Sequence, residues 1–397
     1  MIARAGNSAF TRLIEPIRLD EFFDSYDDKT FLLIDGRGKE SFEEFISVAE
    51  ISDFLTRTDI RYPSIRLAKD GAELALESYA RELKIGPHVS HDLIDNEKMF
   101  CCYNDGATII VQLLQNNLPR FGRFVDQLEE AFACNVHASA FITPQNAQGF
   151  TTHYDTYSFF ALQIHGRKTW KLYPRTELKP IREDRLTERP WVPCDPIAEL
   201  TLEAGDLLYV PRGLFHAAST ESEASIHITI GLFLPTWLDI IRSAITEIER
   251  EEKIRETPDL KSGELDASAL LSVKEFLLSR LDLQAGANQL LERQFARRTD
   301  LRDGRLLDLL ALSEVDLNTK VEIFPNVSFR IVSDDNSVLL LFADKNIRLA
   351  ARVEDTLKVF AAGVCASIGE VQDRLDSQFR LKIVKLLIKE GFLRRAR

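Results

Sequence analysis

Between about Val136 and Phe233 the chain is a run of short apolar strand patterns broken by turn residues, and this texture limits the fold more than any other feature. Ala138–Thr143 reads as a strand, Pro144–Gly149 as a loop and Tyr157–His165 as a strand. Gly166 then turns the chain into a strand at Lys168–Tyr173. Leu200–Glu203 and Leu207–Val210 flank a Gly205-Asp206 turn and read as a hairpin, and Ala224–Phe233 is one more strand. Many short strands with Gly and Pro punctuation predict a sandwich or barrel. In SIHITIGLF, Ile226, Ile228 and Ile230 alternate with Ser225, His227, Thr229 and Gly231. The isoleucine face belongs in a core, and the small polar face suits the wall of a barrel mouth holding a polar ligand.

The flanks read differently. Before the β region, Glu40–Leu55 and Asn117–Ala133 have helical periodicity, and Thr108–Asn116 is an apolar stretch that fits either buried helix or strand. After Pro235 come helical patterns at Trp237–Arg255, Ser268–Leu283 and Ala287–Arg297. Strands at Val321–Arg330 and Ser337–Phe342, around the turn Ser333–Asn336, precede helices at Ser367–Leu375 and Gln378–Glu390. The expected architecture is a mainly β core (double-stranded β-helix, jelly-roll cupin) with flanking helices, then an α-helical segment and a winged-helix-like α/β end. The corresponding domains are 1–235, 236–315 (a packing or dimerisation element) and 316–397.

Composition excludes several classes. With 50 Lys and Arg against 62 Asp and Glu, the formal charge of −12 disfavours a protein that lives on nucleic acid. The basic tail Arg394, Arg395 and Arg397 reads as a solvated end. Five cysteines at irregular spacing give neither a disulfide framework nor a CxxC zinc pattern. The N-terminus lacks the apolar stretch of a secretory signal, and runs such as Val338–Ala343 are too short to span a bilayer. A reducing cytoplasm is the expected location.

The chemistry concentrates in GFTTHYDTYSFFALQIHGRKTWKLYP. His153 and Asp155 are two apart and project to one face of an extended chain, and His216 follows in EAGDLLYVPRGLFH. A lone HxD is weak, because a hydrogen-bonded pair at a strand end gives the same letters. Here an aromatic strand follows at once, Lys168 opens the next strand, and a Gly-Asp turn and a Pro-Arg-Gly bend precede the distal histidine. Two imidazoles and a carboxylate on one face of an octahedron form the facial triad of non-haem Fe(II) oxygenases. Lys168 shares its strand face with Trp170 and Leu172, an odd place for a surface lysine, whereas Arg167 faces the other way and reads as solvated.

These segments resemble the Jumonji C catalytic core, and in particular its cupin-type ribosomal oxygenase branch, over about Phe141 to Phe233. TPQNAQGFTTHYD, LQIHGRKTWKLY and LEAGDLLYVPRGLFHAA are similar to that branch's motifs almost residue for residue. The resemblance implies Fe(II), 2-oxoglutarate and dioxygen, with His153, Asp155 and His216 as metal ligands. It also implies that Lys168 pairs with the far carboxylate of 2-oxoglutarate, a buried dianion that needs a cationic partner. It implies a side chain of a ribosomal or other protein as substrate, presented by a homodimer.

The chain departs from that branch at Ser139 and Phe141, where an Asn and a Tyr often stand, and at Gly231, where a Ser often helps hold the cosubstrate. Thr151 and Thr229 are candidates to rebuild the cosubstrate's surroundings. Tyr157, Phe159, Gln163, Trp170, Ser139, Phe141 and His227 are candidate walls of a substrate pocket, although His227 reads first as a satisfied buried histidine. Other readings are a hydroxylase of a small amino acid or peptide in a biosynthetic pathway, a cupin using another metal, or an inactive scaffold.

Overall fold

The structure is a computed structural model. It describes residues 9–296 and 304–396 apart from 58, 176–178, 182, 185–190, 260–262, 325–326, 328, 334–335 and 343–344. The chain divides into two units, Met1–Leu234 and Pro235–Arg397.

In the first unit the strands are β1 (Leu32–Ile34), β2 (Ile65–Lys69), β3 (Ala72–Glu73), β4 (Ala80–Ile85), β5 (His88–Ile94), β6 (Thr108–Val111), β7 (Asn135–Thr143), β8 (Ser158–His165), β9 (Lys168–Leu172), β10 (Ala198–Leu202), β11 (Leu207–Val210), β12 (His216–Ser219) and β13 (Ser225–Phe233). They form an eight-stranded sheet ordered β1-β11-β8-β13-β7-β6-β2-β3, a three-stranded sheet ordered β10-β9-β12, and the β4–β5 hairpin. The expected β core with flanking helices is present.

Strand β8 shows why the sequence there is apolar at consecutive positions. Phe159 and Ala161 pack with Trp170, Leu172, Leu202 and Leu208 between the two larger sheets. Phe160 and Leu162 face the opposite way, into a core with Phe10, Phe22, Phe132 and Tyr209. A strand covered on both faces loses the in-out alternation. Ile228 and Ile230 of β13 join that second core, as their spacing predicts.

Several expectations are corrected. Leu200–Glu203 and Leu207–Val210 do not form a hairpin: β10 pairs with β9, while β11 pairs with β1 and β8. The Gly205-Asp206 turn is a corner between sheets. The Asp206 carboxylate accepts from the backbone N–H of Glu203 at 2.8 Å and of Gly36 at 3.0 Å. Gly205 takes a left-handed φ of +102° against the Gly38 carbonyl, where a side chain has no room. The helix expected over Glu40–Leu55 is confined to Val48–Leu55, because Ser47 and Glu50 form a reciprocal N-cap there. Thr108–Asn116 is strand β6 followed by a 3-10 turn at Leu114–Asn116. Asn117–Ala133 is helical over Pro119–Phe132, starting at the proline.

In the second unit the helix expected over Trp237–Arg255 stops at Ile248, and a short helix follows at Glu252–Arg255. Helices at Ala267–Arg280 and Leu283–Ala296 match the next two expectations, with Arg297 outside the described residues. Val321–Arg330 is two strands, β14 (Lys320–Ile323) and β15 (Phe329–Ser333), which belong to different sheets. β15 pairs with β16 (Ser337–Phe342), which pairs with β17 (Lys345–Ala350). β14 lies between β18 (Ala366–Ser367) and β19 (Leu393–Arg395). Of the turn Ser333–Asn336, positions 334 and 335 lie outside the described residues.

The helix expected at Ser367–Leu375 is absent. Asp373 is instead held by Arg380 at 2.6 Å, by Thr356 at 2.6 Å and by the Leu375 N–H at 2.9 Å, which fixes an irregular segment. A helix at Glu354–Ala361 was not expected. The helix Ser377–Glu390 ends at Gly391 with a left-handed φ of 83°. The tail is not free in solvent: Arg394 pairs with Glu322 at 2.7 Å and Arg395 with Asp308 at 3.2 Å, while Arg397 lies outside the described residues.

Candidate active site

His153 lies in the loop between β7 and β8, and His216 opens β12. Their backbones form an isolated antiparallel bridge, with the N–H of His153 to the carbonyl of His216 at 3.0 Å and the reverse at 2.7 Å. The Gly213 N–H donates to the Asp155 carbonyl at 2.9 Å, so the HxD segment and the Pro-Arg-Gly bend are tied at two points. This places the imidazole centroids 4.4 Å apart, and one ligand atom from each of His153, Asp155 and His216 lies within 4.8 Å of the others.

Hydrogen bonds settle which nitrogens are available. His153 Nδ1 lies 2.8 Å from the Thr151 carbonyl and His216 Nδ1 lies 3.0 Å from the Leu214 carbonyl. A carbonyl only accepts, so both Nδ1 atoms carry the proton and both Nε2 lone pairs are free for a metal. His216 Nε2 is 3.7 Å from an Asp155 oxygen. Burial and the neighbouring His153 push the His216 imidazole down to about 3, so it stays neutral. Burial raises the Asp155 carboxyl, opposed by His153 and by a hydrogen bond from the Tyr157 hydroxyl. A dication would reverse that tendency, and two neutral imidazoles with one carboxylate suit Fe(II).

All three open onto a cavity of about 530 Å³. Its lining includes the expected Lys168, Thr151, Thr229, Tyr157, Phe159, Ser139, Phe141, Trp170 and His227. Gln163 is corrected. It is buried away from the cavity, its amide donating to Ser225 Oγ at 2.8 Å and to the carbonyls of His165 and Gly166. It braces the β8–β9 turn. Arg167 is exposed and pairs with Glu203 and Glu223, as its strand face predicts.

Lys168 is only 4% exposed. Its ammonium donates to Thr143 Oγ1 at 2.9 Å, and Thr108 Oγ1 donates to the same oxygen at 3.2 Å. Among the described residues no carboxylate pairs with it, and burial alone pushes it down to about 7. An uncompensated cation in an apolar pocket is costly, and an anion with a carboxylate at that point relieves the cost. His227 is not the satisfied buried histidine expected, since its Nδ1 has no hydrogen-bond partner, and neither has Trp170 Nε1. The residues present therefore fit a buried dicarboxylate as well as a metal.

Sequence reading missed Thr108, Thr143, Arg66, Gln112 and Phe150, which line or support the cavity. Thr108 and Thr143 meet only because β6 and β7 pair with Ile109 opposite Ile142, a register no local pattern reveals.

Two imidazoles and a carboxylate opening onto one cavity of the β core are the donor set of a 2-His-1-carboxylate metal site. A JmjC domain model matches residues 112–240. The chain is 32% identical over 242 residues to the bifunctional lysine-specific demethylase and histidyl-hydroxylase NO66 of Aedes aegypti, covering 59% of this chain and 36% of that protein. The Drosophila yakuba protein of the same name is 29% identical over 268 residues, covering 65% of this chain and 37% of its own length. The chain thus spans little more than a third of these curated relatives.

Among solved structures, the Escherichia coli ribosomal oxygenase YcfD superposes with a TM-score of 0.55 at 15% identity, covering 96% of this chain and 98% of that one. Its complex with cobalt and 2-oxoglutarate gives 0.54 at 15% identity, covering 95% and 98%. At this identity the likeness establishes the fold.

Proposed function

We propose that this chain is an Fe(II)- and 2-oxoglutarate-dependent oxygenase that hydroxylates an amino-acid side chain in a protein or peptide, with a ribosomal-protein-like substrate favoured. The observation that carries this is the meeting, in one cavity, of a three-ligand His/Asp/His face and a buried lysine without a carboxylate partner. The names of the relatives, a histidyl-hydroxylase and a ribosomal oxygenase, support a protein substrate.

When bound, Fe(II), 2-oxoglutarate and dioxygen supply the oxidising power to place one oxygen atom in a C–H bond, with succinate and carbon dioxide as co-products. His153, Asp155 and His216 would hold the metal on one side and leave the cavity side open. Lys168, oriented by Thr143, would anchor the far carboxylate of the cosubstrate, and Thr151 and Thr229 line the same space. The Thr151 carbonyl fixes the His153 ring, and Tyr157 holds the free arm of Asp155. Phe159, Trp170 and Phe141 exclude water around these groups. Ser139, Tyr157 and His227 complete the wall a substrate side chain meets.

The reading extends to the rest of the chain as proposals. The helices Trp237–Ile248 and Leu283–Ala296 pack through Ser243 and Gln289, bonded at 2.7 Å, which supports a helical domain over 236–315. Trp237, Ile241 and Ile245 recur at four-residue spacing and are exposed, as are Leu270, Leu271 and Leu278, which supports homodimerisation. The two three-stranded sheets and the helix Ser377–Glu390 support a winged-helix-like domain over 316–397. No disulfide joins the five cysteines, which supports a reducing cytoplasm, and among the described residues no helix is long and apolar enough to cross a membrane.

The test is turnover. Purified protein with Fe(II), 2-oxoglutarate and peptides from ribosomal proteins should release succinate in step with a mass gain of one oxygen atom on one peptide. Coupled turnover undiminished in both His153→Ala and Asp155→Ala would refute the assignment.

A further inference from the structure

The formal charge of −12 is unevenly spread. Residues 316–397 carry 14 Lys and Arg against 11 Asp and Glu, a positive stretch in an acidic chain. Several of these cations already have a partner. Lys345, Lys358, Arg374, Arg380, Arg394 and Arg395 each hold a carboxylate within 3.6 Å.

The helix Ser377–Glu390 differs. It buries Ile383, Val384, Leu387 and Ile388 on one side, and Lys382, Lys385 and Lys389 recur at three- and four-residue spacing on the other. Lys382 and Lys389 are exposed and Lys385 is half-buried. Among the described residues none of the three has a carboxylate partner, and the helix's one carboxylate, Glu390, is bound by Lys345 at 2.7 Å. Like charges at this spacing repel, so the row costs the free helix a little stability that a polyanion would return.

One turn before Lys382 the same side carries Phe379, and the Arg352 guanidinium lies 3.9 Å from the centre of its ring. Arg352 is exposed, so the ring covers one face of the guanidinium plane and leaves the other to solvent. A guanidinium held in this way offers charge and a flat stacking surface together.

The two features select one partner. The step from Lys382 to Lys389 is about 10 Å along the helix axis, enough to meet about three phosphates of one strand. An acidic polypeptide would satisfy the lysines, but its carboxylates would engage the edge of Arg352 and leave the open face unused. An unstacked base fits that face, and bases splayed onto guanidinium planes belong to the recognition of single-stranded RNA. We infer that this side of the helix binds a single-stranded segment of RNA, with phosphates along Lys382, Lys385 and Lys389 and a base on Arg352.

The experiment follows a fluorescent oligouridylate binding to the full chain by anisotropy, beside a duplex RNA of equal length. The logarithm of the affinity should fall with the logarithm of salt concentration at a slope of about −2, as three contacts to a single strand require. The triple variant Lys382→Gln, Lys385→Gln, Lys389→Gln should bind at least about tenfold more weakly and flatten that slope. Arg352→Lys keeps the charge and removes the plane, so it should weaken the single strand about fivefold and leave the duplex unchanged. No binding by the unmodified protein at low salt, or equal binding by the triple variant, would overturn the proposal. So would displacement of the RNA by polyglutamate of equal charge, or an Arg352→Lys effect that is absent or the same on strand and duplex.

A second measurement needs no variant. Photocrosslinking of a thiouridine-substituted strand to the unmodified protein should mark peptides that contain Arg352 or residues 378–389, and crosslinks confined to other segments overturn the proposal. Neither readout involves succinate release, so failure of the oxygenase reading leaves this inference standing.

Discussion

His153 and His216 are joined by an isolated antiparallel bridge, and each ring is locked by an Nδ1 hydrogen bond to the carbonyl two residues before it, in Thr151 and Leu214. Sixty-three positions apart in sequence, counting 216 − 153, they become two copies of one local arrangement. The backbone therefore presents both Nε2 atoms before any metal arrives, which lowers the ordering cost of binding.

Replacing either histidine, or Asp155, by Ala should abolish succinate release and weaken Fe(II) or Mn(II) binding by at least about tenfold. The far-ultraviolet spectrum should be retained, because the bridge is made by backbone atoms. Metal binding by equilibrium dialysis checks this; unchanged affinity in all three variants would remove the site.

Lys168 gives a pH signature. Burial depresses its folded value to about 7 from 10.5, so between those limits the unfolded chain binds the extra proton. Stability of the ligand-free protein should therefore rise with pH across that window, and Lys168→Met should flatten the slope. An anion favours the ammonium, so 2-oxoglutarate should bind with proton uptake at pH 8, and its affinity should fall as pH rises above about 7. Calorimetry in buffers of different ionisation enthalpy measures the proton count, and no uptake would contradict the assignment.

Gly231 is needed for room. A Cβ there would lie 2.7 Å from Tyr157 Cε2, and Tyr157 is the residue whose hydroxyl holds Asp155. Gly231→Ala should cost about 1–3 kcal/mol of stability from overpacking. It should also raise the metal requirement for turnover. A denaturant midpoint and a metal titration equal to those of the unmodified protein would show that Tyr157 moves freely.

Asp28 ties the N-terminal flank to the bend that delivers His216. Arg212 chelates it with bonds of 3.1 and 2.9 Å, and Arg175 adds one at 3.0 Å, with all three side chains less than a fifth exposed. Asp28→Ala leaves two guanidinium groups without their carboxylate and should destabilise the protein by about 3 kcal/mol. Chemical denaturation checks the value, and a loss below about 1 kcal/mol would mean that solvent replaces the carboxylate.

The sequence made the candidate His153/Asp155/His216 cluster legible because HxD and the Gly-Asp and Pro-Arg-Gly bends are local. The face shared by Lys168 and Trp170 was legible because strand alternation is local too. What stayed hidden depends on register or on distant partners. Thr143 reaches Lys168 from another sheet, and the Gly205-Asp206 turn looks like a hairpin until Gly36 is seen on the Asp206 carboxylate. Gln163 shares a strand with Phe159 but spends its amide on Ser225 and the turn carbonyls. In the C-terminal unit, Asp373 overrides the helical periodicity of Ser367–Leu375 through contacts with Thr356 and Arg380.

The most direct test of the oxygenase assignment is an anaerobic titration of the metal-free protein with Fe(II) and 2-oxoglutarate, followed by visible absorption. The expected result is the weak charge-transfer band of the chelate, saturating at one equivalent of metal and lost in Lys168→Ala at low 2-oxoglutarate. Folded, iron-loaded protein that shows no such band at saturating 2-oxoglutarate would contradict the assignment.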